Sequence, residues 1–112
     1  MFELESKKPD EITIITKSTT VKVNISDSTI DANLPVGKIE GPGEFEIGDV
    51  SIRGIATASK KTIYDIEIGG IHIGVLGDIE ENLDEIVADI LCTSSVRAVR
   101  EIEPKLIISM GN

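Results

Sequence analysis

The sequence predicts an α+β domain: a β-rich sheet of antiparallel hairpins, then two short C-terminal helices. Two observations carry this. Apolar and polar residues alternate through the first three quarters of the chain, as in ITIIT (12–16), TVKVNI (20–25), EFEI (44–47) and DVSIRGI (49–55). A period of two is the signature of strands with one buried face. After Gly77-Asp78 the period lengthens, and Leu83, Ile86, Val87 and Ile90 fall at i, i+3, i+4 and i+7, the spacing of a helix face. The 112 residues, 40% of them hydrophobic, suit a single domain over 1–112 with one core.

The elements follow in order. Runs 12–16 and 20–25 are strands, and SDSTIDANLPVG (26–37), rich in turn formers, is a loop with room for one short strand. Gly48-Asp49 separates two alternating runs and Gly69-Gly70 separates TIYDIEI from IHIGVL, so each pair of runs forms a β-hairpin. In the second hairpin Tyr64, Ile66 and Ile68 share one face and Asp65 and Glu67 the other, so one sheet surface is buried. Asn82 with Glu85 makes a capping pair for the first helix. Thr93, Ser94 and Ser95 are cap candidates for a second helix carrying Val96, Val99 and Ile102, which Pro104 ends because it has no N–H to donate. KLIIS (105–109) is expected to be a final buried strand.

Charge excludes some functions. With 11 Lys and Arg against 20 Asp and Glu, the net charge is −9, which argues against binding nucleic acid or an anionic membrane. The pairs Lys7-Lys8 and Lys60-Lys61 are solvated turns. Cys92 is the single cysteine, so no intrachain disulfide or Cys-x-x-Cys motif can form and a reducing compartment is the default. The opening MFELESKKPDEI has no apolar stretch of signal-peptide type and no long uncharged apolar run follows, so the expected location is the cytoplasm.

Three segments in order, GPGEFEIGDVSIRGI (41–55), TIYDIEIGGIHIGVLGD (62–78) and REIEPKLIISM (100–110), resemble the metallo-β-lactamase superfamily, in particular its small intracellular metal-dependent hydrolase branch. The resemblance is best over 38–111. It implies a reduced αββα sandwich and, for Asp78, the position of a metal-bridging aspartate. It also implies ligands that the chain lacks: an early HxHxDH motif, a histidine between the aspartate and the C-terminus, and one after the last strand, where Gly111 stands. The lone His72 is at no ligand position of that pattern, and ADILCTSSVRAVREIEP lacks the inserted loop that would carry the middle histidine. The run ITIITKSTTVKVN (12–24) is similar to the family's opening hairpin, with its turn near Thr16, Lys17 and Ser18.

Zinc hydrolysis needs three or four ligands and an open position for water, and one aspartate cannot supply them. Asp78, Glu80, Glu81, Asp84 and Glu85 form an acidic run, but an EF-hand register from Asp78 places Leu83 where glycine is required. The plainer account is a strand-end turn and an acidic first helical turn. Ser51, Ser59, Ser94, Ser95 and Cys92 are candidate nucleophiles with His72 as the only imidazole base, yet none lies in a nucleophile motif. His72 fits the exposed face of a strand, and Cys92 at the end of ADIL fits a small buried hydrophobe. Gly41 and Gly43 flank Pro42 without a following GK(S/T), so they make a tight turn and not a phosphate loop. Arg53 lies on a strand facing Glu44 and Glu46 and is able to pair with one of them for about 0–1 kcal/mol.

The expected function is a non-catalytic, degenerate form of this fold that acts as a structural or interaction module. No cofactor is expected. The first alternative is a metal-dependent hydrolase or metal-binding protein that holds zinc or another divalent metal around Asp78. The second is a small-molecule binding module in the cleft near Asp78 and Gly111. A family member shorn of its N-terminal part would expose sheet surface or strand edges, so a homodimer or higher homo-oligomer is expected, with two copies recreating a four-layer sandwich.

Overall fold

A computed structural model describes residues 2–32 and 37–110. Two sheets pack face to face. The first is an antiparallel meander of β1 (Glu3–Lys8), β2 (Glu11–Ile15), β3 (Thr20–Asn24), β4 (Thr29–Ala32) and β5 (Lys38–Glu40), in that spatial order. The second takes the order β11-β10-β9-β8-β7-β6, from β6 (Gly43–Ile47), β7 (Val50–Ala56), β8 (Thr62–Ile68), β9 (Ile71–Gly77), β10 (Ile90–Thr93) and β11 (Leu106–Ser109). Strands β6 to β9 are antiparallel, whereas β9, β10 and β11 run parallel, so the second sheet is mixed.

Alternation builds the core. Ile12, Ile14, Val21, Val23 and Ile30 of the first sheet and Ile52, Tyr64, Ile66, Ile73 and Val75 of the second are buried in one continuous cluster. The predicted hairpins at Gly48-Asp49 and Gly69-Gly70 join β6 to β7 and β8 to β9. Gly41-Pro42-Gly43 is the corner where the chain leaves the first sheet for the second. Gly41 has φ +77°, and a side chain on Gly54 of β7 would meet the Gly41 carbonyl and Pro42 Cα at 3.2 Å, so the bare Gly54 lets the corner lie close against β7.

Three expectations need correction. The segment 83–90 is not a helix: a single 3-10 turn spans Leu83–Glu85, Ile86 is extended, Val87 is 71% exposed and Ile90 begins β10. Parallel pairing is the reason. Ile90 lies beside Ile73 and Leu106 as the first residue of β10, so it is extended and cannot supply the i+7 position of a helix face. Asn82 does donate to Glu85 (2.7 Å), but its backbone is left-handed and it caps no N–H. Among the described residues the one α-helix is α1, Val96–Ile102, capped by Ser95, whose hydroxyl accepts from the Ala98 N–H (3.0 Å).

The second correction concerns β11, which is a strand but not a buried one: Leu106 and Ile107 are 62% and 52% exposed because β11 is an edge. The third concerns the layers. One chain supplies both sheets, so two copies are not needed to complete the sandwich. Among the described residues helical cover consists of α1 and the 3-10 turn beside it, in place of the two outer helical layers of an αββα sandwich. β1 and β5 add strands that the alternating runs did not reveal, and β4 is the one short strand for which the segment 26–37 had room. Asn33 to Val36 of that segment, and Gly111, lie outside the described residues.

Candidate functional site

Asp78 stands where β9 leaves the mixed sheet. Gly77 has φ +61° and a Cβ on it would come within 2.9 Å of Ile25, so the strand end turns sharply against the β3–β4 connection of the other sheet. The Gly77 carbonyl accepts from Thr93 Oγ1 (2.8 Å) and the Ser94 N–H (2.9 Å), which sets the end of β10 beside the turn. Asp78 is exposed at the rim of a cleft of about 290 Å³ lined by Pro9, Asp10, Ile25, Ser26, Gly77, Asp78 and Ser94. The chain thus gathers two carboxylates here, Asp10 and Asp78, with no imidazole or thiol.

The rest of the acidic run disperses. Glu80 accepts a short hydrogen bond from Ser95 Oγ, and Glu81 accepts from the Ser59 N–H (3.1 Å). Ser59 holds the Glu81 carboxyl below the usual range. Glu85 takes the Asn82 amide. Among the described residues no three His, Cys, Asp or Glu side chains stand together so as to hold a metal ion. Zinc takes three or four protein ligands, most often imidazole or thiolate, and this cleft offers two carboxylates and two serine hydroxyls with neither, so the residues present do not fit a hydrolytic zinc.

A second concavity, about 510 Å³, lies elsewhere, on the outer surface of the mixed sheet among Glu44, Glu46, Ser51, Arg53, Asp65, Glu67 and His72. Arg53 sits opposite Glu44 in register, yet its guanidinium turns to Asp65 Oδ2 (3.3 Å) and the Glu85 carbonyl (2.8 Å). Asp65, the more buried carboxylate, also lies 3.5 Å from His72 Nδ1, and Asp89 accepts from the His72 N–H (2.9 Å). The Arg53, Asp65 and His72 cluster was legible only in part, since alternation places them on one surface but burial chose the partner. His72 is half-exposed, as its place on the outer face of β9 suggests.

None of the candidate nucleophiles hydrogen-bonds to His72 among the described residues. Ser51 donates to Glu46, Ser59 pairs with Thr57, Ser94 donates to the Gly77 carbonyl and Ser95 to Glu80. Cys92 is fully buried, and burial pushes its thiol up to about 12, which favours the thiol over the nucleophilic thiolate at neutral pH.

At the opposite end of the sandwich, the turn expected near Thr16 to Ser18 clasps the β6–β7 hairpin. Thr16 Oγ1 and Ser18 Oγ both donate to Asp49 Oδ1, at 2.8 and 3.0 Å. Those bonds, Thr16 first, hold the Asp49 carboxyl below its ordinary value. This turn is a clasp between sheets.

No protein-family model and no curated protein matches the chain. Among solved structures it is similar to a protein of Thermotoga maritima assigned as a Zn-dependent hydrolase of the metallo-β-lactamase superfamily, with a TM-score of 0.67 and 18% identity. The likeness covers 98% of this chain and 75% of the other, so it takes in the N-terminal sheet as well as the mixed one. At that identity the likeness is one of fold, and the fold is metallo-β-lactamase-like. Among the described residues no helix is long and apolar enough to cross a membrane.

Proposed function

We propose that the chain is a non-catalytic, degenerate form of the metallo-β-lactamase fold, a cytoplasmic structural or interaction module that works through self-association. One observation carries the reading: at the end of β9, the cleft beside Asp78 offers two carboxylates, while the single histidine of the chain is spent on the outer surface beside Asp65. Fold likeness alone transfers no activity. The cleft favours no small ligand either, since its volume of about 290 Å³ lies at the lower limit for such pockets and Asp78 at its rim is exposed.

The test is elemental analysis of tag-free protein purified without chelator, paired with its mass in solution. The expected result is less than one-tenth of a metal ion per chain, together with a mass above that of one chain. Stoichiometric zinc, iron or manganese that is lost on Asp78→Ala would overturn the reading in favour of a metal site at Asp78.

A further inference from the structure

The two sheets have four edges, and they are not alike. β1 carries Glu3, Glu5, Lys7 and Lys8, β5 carries Lys38 and Glu40, and β6 carries Glu44 and Glu46. Charged side chains on an edge are the usual defence against further pairing. β11, Leu-Ile-Ile-Ser, has none, in a chain of net charge −9. Leu106 and Ile107 point to opposite faces of the sheet, and both are more than half exposed. Among the described residues β11 is paired only with β10.

We infer that β11 is the self-association surface: a second copy adds its own β11 antiparallel across a two-fold axis, which makes one continuous mixed sheet through both chains. This specifies the self-association proposed above and rests on that reading. The backbone sets the register. The N–H groups of Leu106 and Met110 are bonded to Asp89 and Thr93 on the β10 side, so by the alternation of a parallel ladder the N–H and C=O of Ile107 and Ser109 point outward. A two-fold axis at Ile107 lets the two Ile107 residues exchange both bonds.

The same register satisfies the side chains. Ile107 meets its own copy on the outer face, Leu106 meets Ile108 of the second chain on the inner face, and Lys105 meets Ser109. Apolar side chains oppose apolar ones and no carboxylate faces another, so the strand is complementary to itself in polarity and in the two bonds of the Ile107 pair. The Lys105 N–H is donated to the Asp89 carbonyl (2.9 Å), so each end of the ladder adds only the Ser109 N–H. A foreign strand would have to match both faces independently, and nothing in the structure selects one. Four residues of ladder make a small interface, so the dimer is expected to dissociate in about the micromolar range.

Sedimentation velocity of the full, untagged chain, from about micromolar to about millimolar concentration, tests this. The native chain should shift from monomer to dimer. Ile107→Lys places two ammonium groups across the axis and should weaken the dimer at least about tenfold, with an unchanged far-ultraviolet circular dichroism spectrum. Glu67→Lys, the same gain of positive charge or more on the outer face of β8, should dimerise as the native chain does. Ile107→Cys should form an interchain disulfide under mild oxidation, with buried Cys92 taking no part. A dimer that survives Ile107→Lys overturns the β11 route and leaves self-association standing. A native chain that is monomeric throughout overturns both.

Discussion

The outward face of β7, β8 and β9 differs from one end of the strands to the other. Toward the β8–β9 turn it presents Ser51, Arg53, Asp65, Glu67 and His72, none of them fully buried. Toward the opposite end it presents Ile55, Ile63 and Leu76, which are 8%, 0% and 0% exposed. Leu83, Ile86 and Ala98, in and beside the 3-10 turn and α1, are buried as well, and Ile86 lies against Gly74 of β9. Cover stops where the side chains turn polar. Gly74 marks the boundary, since a Cβ there would meet Ile86 Cγ2 and Leu91 Cδ1 at 3.0 Å. One sheet surface is thus divided into a packed half and a solvated half, so the uncovered half exposes polar side chains and not apolar ones.

The sharpest way to break this contrast is to truncate one residue on each side. Ile63→Ala should cost about 2–5 kcal/mol because it opens a cavity at a fully buried position. Glu67→Ala, four residues along the same strand and exposed, should stay within about 0.5 kcal/mol. Urea titration of both variants measures the difference, and similar midpoints would mean that the cover is not packed. The boundary itself gives the next effect. Gly74→Ala should cost about 1–3 kcal/mol by the same titration, because Leu91 and Ile86 must move to admit one methyl group.

A smaller effect is expected where the halves are tied together. Arg53 joins Asp65 on the bare half to the Glu85 carbonyl in the cover, and Arg53→Ala should lower stability by about 1 kcal/mol. It should also speed hydrogen exchange in residues 83–86 more than in β8, which a mere loss of surface charge would not do.

The smallest effect lies at the clasp between the sheets. The Asp49 carboxyl is held below its unfolded value of 3.8 by Thr16 and Ser18, so its contribution is full above that value and is lost as the pH falls through the folded one. The native chain should therefore lose stability in acid more steeply than Asp49→Asn. Glu81, lowered by Ser59, acts in the same direction in both proteins and cancels from the comparison. Equal acid slopes for the two proteins would show that the clasp contributes nothing.

Much of the fold was legible where a local pattern met no competitor. Alternation in 12–16, 20–25, 44–47 and 49–55 marked strands, and the Ser95 cap with Pro104 bounded α1. The segment 83–90 was misread because Leu83 and Ile86 are buried, as a helix face requires, while Ile90 is claimed by pairing with Ile73 and Leu106. Four apolar residues at helical spacing cannot reveal a strand partner that lies elsewhere in the chain. At the candidate site the sequence marked Asp78 through Leu-Gly-Asp, but not that Asp10 would share its cleft, since the two lie in turns of different sheets.

By itself, the sequence determined which residues face inward, where the hairpins turn, and that the chain carries one histidine and one cysteine, because these depend on identity and on spacing within a few residues. Tertiary structure alone decided that one chain supplies both sheets, that Arg53 turns to Asp65 and not to Glu44, and that β11 is an exposed edge. Each of these outcomes depends on which distant backbone comes alongside, and strand pairing and burial settle that for the whole chain at once.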